Sequence, residues 1–373
     1  MSLIFNYEKL YRAYLECRKN KRGTINALKF EIDFENNLKI LLKELKSGSY
    51  VPGRSICFVV TAPKPREIFA ADFRDRIVHH LLVREIEEYF EKRFIYDSFA
   101  CRKGKGTHRA VSRLRYFFQK KENRHAWYLK MDIKSFFMSI NKNILYELLQ
   151  NSLIEGGLDK ISELDQLARF VVFHNPAKNY EKKGDRELFS LIPAHKSLLK
   201  QKENKGLPIG NHSSQFFANV YLNELDHFVK RELKCRHYVR YVDDFILLSN
   251  DKRQLYEWKN KIARFLGKKL ELALSENKTM IQPVVRGADF LGYFIKPDSI
   301  YPRRSVFRRY KDKLFGIAIG KAKTDLKRLQ SMNNSYIGHF NFKGKIPAGF
   351  RNRFLTFTER AELPASISAP QNC

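Results

Sequence analysis

The sequence predicts an α+β fold, in which short β-strands are interspersed with amphipathic helices. Apolar residues recur at helical spacing in several stretches, and β-rich runs that end in polar turns lie between them. The predicted helices are residues 34–45, 75–89, 145–173 (interrupted at Gly156–Gly157) and 214–233. The predicted strands are residues 56–61, 127–137 and 290–295, together with a tight hairpin over 237–249. With 373 residues and no internal repeat, the chain is expected to form two or three packed subdomains.

A strong positive charge predicts a polyanionic partner. The chain has 70 lysines and arginines against 40 acidic residues, which gives a formal net charge of +30 at pH 7. Residues 101–125 contain nine basic residues and one acid, and residues 301–354 contain fourteen and two. An ordinary solvated helix face mixes the two signs, so we interpret these stretches as surfaces for a nucleic-acid backbone. The second stretch also has helical character.

Cysteine usage and hydropathy predict a reducing, non-membrane location. The five scattered cysteines form no C-x-x-C pair, which argues against a zinc site and a disulfide framework. No apolar run approaches the roughly 18 residues that cross a bilayer. The first residues include Asn6 and Glu8 and do not resemble a signal peptide. The protein is therefore expected to be cytoplasmic, with no membrane partner.

Adjacent aspartates in an apolar hairpin form the sharpest chemical signal. Asp243 and Asp244 lie between the β-rich runs Tyr238–Val242 and Phe245–Leu248. An acidic hairpin tip usually contains a glycine, and none follows here. Like charges that are partly removed from water need a cation nearby. Oxygen ligands without histidine or cysteine favour Mg²⁺, with Mn²⁺ as an alternative.

A third aspartate ends another apolar strand. Asp132 follows Trp127–Met131 and, taken alone, would be a weak candidate. Phosphoryl transfer to a 3′-hydroxyl uses two metal ions that are bridged by carboxylates from different strands. Asp132 and Asp243 fit the bridging pair, and Asp244 would assist them.

With these residues the sequence resembles the reverse transcriptase family. Tyr241-Val-Asp-Asp244 is similar to its Y-x-D-D hairpin and Asp132 to its first catalytic aspartate, and the likeness covers roughly residues 50–300. The resemblance implies a right-hand polymerase of fingers, palm and thumb, with an antiparallel palm sheet packed on helices and a helical thumb. It also assigns Ile133 to the metal and substrate site and Tyr241 to the substrate site.

The resemblance assigns further residues to the incoming nucleotide. Pro63-Lys-Pro-Arg-Glu-Ile68 is similar to the fingers motif, so Arg66, with Lys64 as a weaker candidate, would bind the triphosphate. A plain surface role for Arg66 stays open. Phe137 matches the steric gate that excludes a ribose 2′-hydroxyl, whereas Phe136 is expected in the core.

Residues 206–219 resemble the motif that positions template and nucleotide. Ile209, Gly210 and Gln215 are its substrate-site candidates, and a helix is expected to start at Ser213 or Ser214. Many members have Gln-Gly and, later, Ser-Pro where this chain has Ile209-Gly210 and Ser214-Gln215. That departure resembles diversity-generating retroelements and their unclassified, defence-associated bacterial relatives.

Two later segments complete the resemblance. Lys278 matches a lysine that acts as general acid toward pyrophosphate. Phe290-Leu-Gly-Tyr293 is similar to the primer grip, formed by Leu291, Gly292 and Tyr293, in which the glycine would allow close approach of the primer.

The expected domains follow from the same likeness. They are an N-terminal helical extension (1–50), fingers (51–126), palm (127–295, with a fingers-type insertion at about 150–205), thumb (296–360) and a flexible tail (361–373).

The expected function is RNA-directed DNA synthesis on a dedicated noncoding or template RNA, in antiphage defence or in a diversity-generating retroelement. The expected partners are this structured RNA, the cDNA and dNTPs, and a protein accessory subunit or a second reverse transcriptase is a further candidate. Two alternatives stay open: a catalytically idle RNA-binding protein on a polymerase scaffold, and an RNA-templated RNA polymerase.

Overall fold

The computed structural model describes residues 4–19, 23–158, 162–320 and 325–342. Within these ranges it contains helices and mainly antiparallel sheets, so the predicted α+β class is confirmed. The chain divides into two compact units, each described by itself below. The first unit comprises the described residues within 1–104, 129–247 and 256–280, and the second those within 105–128, 248–255 and 281–373.

The elements are numbered in chain order. The helices are α1 (Tyr7–Arg18), α2 (Ile25–Glu31), α3 (Phe34–Ser47), α4 (Phe73–Arg93), α5 (Thr107–Gln119), α6 (Phe136–Ser139), α7 (Lys142–Glu155), α8 (Ser162–Phe173), α9 (His212–His227), α10 (Lys252–Leu270), α11 (Arg304–Ala318) and α12 (Leu326–Phe340). The strands are β1 (Ser55–Val60), β2 (Arg66–Ala70), β3 (Trp127–Asp132), β4 (Tyr180–Lys182), β5 (Tyr238–Tyr241), β6 (Asp244–Ser249), β7 (Met280–Pro283), β8 (Ala288–Phe290), β9 (Tyr293–Ile295) and β10 (Ile300–Pro302).

Helix α4 is the central helix of the first unit and packs against α1, α8 and α9. Its apolar residues Ile77, Leu81, Leu82 and Ile86 are buried, as their helical spacing predicts. Helix α3 ends at Gly48, whose φ of 74° gives the left-handed C-cap expected there. Together α1, α4, α8 and α9 form a helical layer with a buried apolar interior.

A three-stranded sheet in the first unit has the order β2-β1-β4. Strand β1 pairs antiparallel with β2 and parallel with β4. Strand β4 belongs to residues 174–205, which otherwise form short 3₁₀ turns and loops, as their polar composition suggests. This insertion is therefore attached to the strand pair that carries Arg66.

A four-stranded sheet with the order β5-β6-β3-β7 positions the acidic residues. Strands β5 and β6 form an antiparallel hairpin in which Tyr241 pairs with Asp244. Strand β3 lies next to β6, so Asp132 and Asp244 occupy neighbouring strands. The predicted strand over 127–137 ends at Asp132, because the following residues turn into the short helix α6.

The second unit contains the antiparallel sheet β10-β9-β8 and the helices α5, α11 and α12. Helices α11 and α12 share an apolar cluster that includes Val306, Tyr310 and Phe340. The predicted single strand over 290–295 is instead the β8–β9 hairpin, because Leu291 and Gly292 both have positive φ. The predicted basic stretch beyond residue 342 and the predicted tail lie outside the described residues.

None of the helices in the described ranges combines the length and the apolar character that crossing a bilayer requires.

Candidate active site

The β5–β6 hairpin carries two of the three acidic residues on a strained turn. Only Val242 and Asp243 separate the paired residues Tyr241 and Asp244. Val242 has a φ of 55°, which is unfavourable for a β-branched side chain. Strained backbone of this kind persists only where surrounding contacts hold it, and it is concentrated at functional sites. The turn is therefore a fixed feature of the fold.

The structure brings Asp132 to this turn. Asp132 is the last residue of β3, and its backbone carbonyl accepts a hydrogen bond from the amide of Ser275 at 2.8 Å. The amide of the next residue, Ile133, donates to the carbonyl of Asp243 at 3.2 Å. Ile133 is buried, so the two segments meet at a residue that is held in the core. Two segments that are more than a hundred residues apart in sequence therefore meet through a backbone hydrogen bond.

The three carboxylates repel one another in a partly buried site. Burial, together with the nearby Asp132 and Asp244, raises the pKa of Asp243 to about 6. Burial likewise raises the pKa of Asp244 to about 6, although Lys130 opposes this shift. A pKa raised in this way means that the charged form is disfavoured until a cation compensates it.

Two lysines contact these carboxylates. The Lys278 ammonium lies 2.7 and 2.8 Å from the two carboxylate oxygens of Asp132. The Lys130 ammonium lies 3.4 Å from Oδ2 of Asp244. Lys278 is among the residues that the sequence predicts for this site, whereas Lys130 is not. Because alternate residues of a strand point to the same face, the Lys130-Met-Asp132 spacing in β3 could have revealed it.

The donor chemistry of the site fits a divalent cation. Oδ1 of Asp244 is buried without a hydrogen-bond partner, which leaves an acceptor oxygen available for a ligand. Carboxylate oxygens without histidine or thiol ligands suit Mg²⁺ or Mn²⁺. Across the described residues, no three such side chains already converge as ligands of one ion. Since Lys278 and Lys130 contact the carboxylates, cation binding would require these ammonium groups to move aside.

A second set of predicted residues meets beside β2. The amide of Leu207 donates to the carbonyl of Phe137 at 2.8 Å, and the amide of Phe69 donates to the carbonyl of Ile209 at 2.9 Å. The side chains of Phe137 and Ile209 pack against one apolar cluster, formed by Cys57, Phe69, Met138 and Leu198. The loop that precedes α9 is thus held between α6 and β2, and it brings Phe137, Ile209 and Gly210 together.

Gly210 fits where no other residue would. Its φ is 128°, and a Cβ atom there would lie 2.7 Å from the carbonyl oxygen of Phe69.

We expect Gly210→Ala to lower the free energy of unfolding by about 2 kcal/mol or more, since strain at positive φ and a backbone clash add. Denaturant titration measures this loss. Gly184→Ala is the matched control: its φ is 86° but nothing lies within 4 Å of the added Cβ, so the loss should be smaller. Equal losses for the two variants would contradict the close approach.

The other predicted nucleotide residues lie on accessible surface of the first unit. Lys64 and Arg66 are exposed, the first in the turn before β2 and the second at its start. Gln215 is an exposed residue of α9 among buried neighbours, and Tyr241 is half-buried at the end of β5. Phe136 is buried, as expected of a core residue. Helix α9 starts at His212, one or two residues before the predicted position.

The predicted primer-grip residues belong to the second unit, where they form the β8–β9 turn. Leu291 and Gly292 are its two turn residues. Tyr293 is buried, and its hydroxyl donates to the carbonyl of His339 at 2.9 Å. A Cβ atom on Gly292 would lie 3.1 Å from the His339 ring. The close approach that Gly292 allows in this structure is therefore to helix α12, and Tyr293 anchors the same contact.

The chain matches one sequence family and is similar to several known proteins. The sequence model of the family described as "Reverse transcriptase (RNA-dependent DNA polymerase)" matches residues 62–295. The chain is 23% identical over 327 residues to the group II intron-encoded protein LtrA of Lactococcus lactis subsp. cremoris, which covers 70% of this chain and 50% of that protein. It is 22% identical over 298 residues to the nuclear intron maturase 1, mitochondrial, of Arabidopsis thaliana, which covers 62% of this chain and 41% of that protein. The chain thus spans about half the length of the curated relatives it matches, or less.

Among solved structures, the chain is similar to an apo telomerase from Candida tropicalis truncated from its C-terminal domain. The TM-score is 0.49 at 13% identity, and the likeness covers 67% of this chain and 55% of that one. The family assignment rests on the sequence match, which covers more than half of the 373 residues and includes all three aspartates. The chain therefore belongs to the reverse transcriptase (RNA-dependent DNA polymerase) family and has that family's α+β right-hand polymerase fold.

Proposed function

We propose that this chain copies an RNA template into DNA at a site formed by Asp132, Asp243 and Asp244. The observation that carries the proposal is the 3.2 Å hydrogen bond from the Ile133 amide to the Asp243 carbonyl, which joins the two acidic segments. Together with family membership, this supports a nucleotidyl transfer centre rather than an isolated acidic turn. The proposed functional divisions are fingers at 51–126, palm at 127–295 and thumb at 296–360, and the family match ends at residue 295, the last residue of the proposed palm.

The side chains of this site have separable roles in the proposal. Asp132, Asp243 and Asp244 would hold two Mg²⁺ ions, or Mn²⁺, with Ile133 adjacent. Bound there, the ions would activate the primer 3′-hydroxyl and neutralise the triphosphate and the departing pyrophosphate. Lys278, once released from its contact with Asp132, would give a proton to the leaving pyrophosphate. Lys130 balances the charge of Asp244.

Nucleotide selection is assigned to the residues around β2 and α6. Arg66 and Lys64 would bind the triphosphate, while Phe137 would lie against the sugar. Ile209, Gly210, Gln215 and Tyr241 would complete the pocket for the new base pair. The main-chain hydrogen bonds at Phe69 and Leu207 support this grouping, because they join the fingers strand, the gate helix and the loop before α9.

Replacing Arg66 tests the triphosphate assignment. We expect Arg66→Ala to raise the KM for dNTP by roughly 10-fold with a smaller change in kcat, because a guanidinium fork binds phosphate in the ground state as well as in the transition state. Steady-state primer extension over a dNTP series measures both constants. Arg54→Ala is the control, since Arg54 is an exposed arginine next to β1 in the same sheet. An unchanged KM in Arg66→Ala would remove this residue from the nucleotide site.

The proposed template is a dedicated structured RNA. The net charge of +30 and the basic stretches 101–125 and 301–354 support backbone contacts with nucleic acid. The Ile209-Gly210 departure favours a diversity-generating retroelement or an antiphage defence system as the setting. The names of the two curated relatives, an intron-encoded protein and an intron maturase, favour an intron RNA as the competing source.

One experiment separates these settings. The protein is purified from its native host with co-bound nucleic acid, and both RNA and cDNA are sequenced. A cDNA that is copied from a template repeat and carries errors at template adenines supports the retroelement. A cDNA from a noncoding RNA in a defence locus supports the defence role, and co-purified spliced intron RNA supports the maturase setting. Mass spectrometry of the same sample identifies an accessory subunit or a second reverse transcriptase.

Two alternatives make different predictions. An idle RNA-binding protein would retain RNA but carry no cDNA, and it would extend no primer with any divalent cation. An RNA-templated RNA polymerase would incorporate rNTPs at least as well as dNTPs. The carboxylate cluster argues against the first alternative, and the aromatic residue at position 137 argues against the second.

A further inference from the structure

We propose that Arg240 is a positioning residue, which holds the Val242–Asp243 turn in the conformation needed for polymerisation. This inference rests on the proposed function for its catalytic consequence. The contact it describes, however, is present in the fold whatever the chain polymerises. Arg240 precedes the Tyr241-Val-Asp-Asp244 motif and is not among the residues that the family resemblance assigned.

The Arg240 guanidinium is fixed by a buried ion pair. Its Nε donates to Oδ1 of Asp226 at 2.7 Å, and its Nη2 donates to Oδ2 at 2.6 Å. Both side chains have no solvent exposure. The hydroxyl of Tyr238 also donates to Oδ1 of Asp226 at 2.8 Å. A two-pronged contact of this kind sets the plane of the guanidinium as well as its location.

The third nitrogen of the guanidinium, Nη1, reaches the strained turn. Nη1 donates to the carbonyl of Val242 at 3.1 Å and to Oδ1 of Asn219 at 3.3 Å. Val242 is the residue with the unfavourable φ of 55°, and Asp243 follows it directly. Because the ion pair holds Nη1 in place, its hydrogen bond to the Val242 carbonyl stabilises the peptide orientation that the turn requires. The helix α9 residue Asp226 thereby determines where the turn lies.

The strand that carries Arg240 is also held from its other edge. The amide of Arg240 donates to the carbonyl of Asp97 at 3.0 Å, and the amide of Phe99 donates to the carbonyl of Arg240 at 3.0 Å. Asn219 donates from its side chain to the carbonyl of Ala100 at 2.8 Å. Neither β5 nor the guanidinium can shift without breaking several of these bonds, so the turn has one well-defined support.

Stability alone does not account for an ion pair at this place. Removing two charges from water costs so much that an apolar pair of similar size often stabilises a core equally well. An apolar pair could fill the space between α9 and β5, but it could not donate to the Val242 carbonyl. The planar, multi-donor guanidinium meets both demands, and a lysine with a single ammonium centre cannot do so in the same geometry.

The test exchanges the whole ion pair. Asp226→Leu combined with Arg240→Met removes both charges together and avoids the unpaired buried aspartate that Arg240→Met alone would leave. Arg240→Lys is the conservative variant. The matched control is Glu31→Leu combined with Arg18→Met, because Arg18 also donates through Nε and Nη2 to the two oxygens of one carboxylate but joins helices α1 and α2 instead of the turn.

Two readouts are measured on the full chain. Amide hydrogen exchange follows Asp243 and Asp244 without any need for activity, and primer extension gives kcat and KM for dNTP. We expect the double variant to fold, to exchange these amides at least 10-fold faster and to lose about 10- to 100-fold in kcat with KM within about 3-fold, since small misplacements of reacting groups carry costs of this size. Arg240→Lys should recover only part of the loss, and the control pair should change neither readout.

Unchanged exchange at Asp243 and Asp244 in the folded double variant would overturn the proposal. An equal acceleration of exchange in the Glu31 and Arg18 control would also overturn it, because it would mean that loss of any such ion pair loosens the fold in general. A wild-type chain that extends no primer would refute the proposed function instead, and the exchange data would still decide the role of Arg240.

Discussion

The variant Asp243→Asn is expected to lose RNA-templated DNA synthesis by at least roughly 1,000-fold. The metal ion that Asp243 would help to hold supplies several kcal/mol of transition-state charge stabilisation, and each loss of about 1.36 kcal/mol lowers the rate tenfold. The same variant should fold normally, with an unchanged or higher Tm. Asp243 lies among like charges in a partly buried site, and burial followed by Asp132 raises its pKa to about 6. A neutral amide removes that repulsion.

The stability difference should depend on pH in a defined direction. An ordinary Asp carboxyl has a pKa of 3.8, and here the folded-state pKa is about 6. The unfolded chain therefore releases the proton more readily, so the wild type loses stability as pH rises between these two values. We therefore expect the Tm of Asp243→Asn, measured in EDTA, to rise relative to the wild-type Tm as the pH increases through that window. Above the window, the difference between the two Tm values should stay constant.

Asp251→Asn is a suitable control for this variant. Asp251 is an exposed acid that follows β6, and its carboxylate accepts a hydrogen bond from the amide of Arg253. Asparagine retains this acceptor, so both activity and Tm should equal those of the wild type. Synthesis by Asp243→Asn within 10-fold of the wild-type rate would contradict the assigned chemistry.

The second large effect is expected at Phe137. Phe137→Ala should increase incorporation of rNTPs relative to dNTPs on the order of 100-fold, because a ring that excludes a single hydroxyl contributes discrimination of about this size. Its carbonyl is fixed by the Leu207 amide at 2.8 Å, and the half-buried side chain lies beside the cluster that includes Phe69 and Met138. Competitive primer extension with matched dNTP and rNTP concentrations measures the ratio.

The neighbouring Phe136 provides the control. Its side chain is buried and its ring centroid lies 5.6 Å from that of Phe137. Phe136→Leu should lower stability through imperfect packing and leave the sugar selectivity unchanged. If Phe137→Ala retains the wild-type ratio, or if Phe136→Leu shifts it equally, Phe137 does not act as the gate.

Local sequence patterns predicted the fold class and the acidic segments well. Apolar residues around a pair of acids specified the hairpin over 237–249, because alternation and turn chemistry are local properties. Asp132 could be related to Asp243 only through the chemistry of two-metal phosphoryl transfer and the family resemblance, since no local rule determines which strands become neighbours. The sheet order β5-β6-β3-β7 provides that missing relation.

Other features could not be read from the sequence because they depend on tertiary contacts. Asp226 and Arg240 look like ordinary surface charges on a helix and a strand, yet both are completely buried as a pair. Tyr293 resembled a primer-contact residue, but its ring packs against His108 and His339. In both cases a distant segment determines what the side chain touches.

One missed element did have a signal. Helix α10 has buried residues Leu255, Ile262, Leu266 and Leu270 at helical spacing. Lysines and arginines between them hide the periodicity from a search for apolar runs. Counting positions against a helical template, instead of looking for hydrophobic stretches, would have found it.

The proposed divalent-cation site, formed by Asp132, Asp243 and Asp244 together, can be tested directly by metal-directed cleavage. Fe²⁺ bound in place of Mg²⁺, with ascorbate and peroxide, produces hydroxyl radicals that cleave the backbone near the ion. We predict cleavage in two segments of the same sample, near Met131–Ile133 and near Val242–Asp244. Both cleavages should be suppressed by excess Mg²⁺ and absent in Asp243→Asn. Cleavage at only one segment, or cleavage that persists in Asp243→Asn, would contradict a shared site.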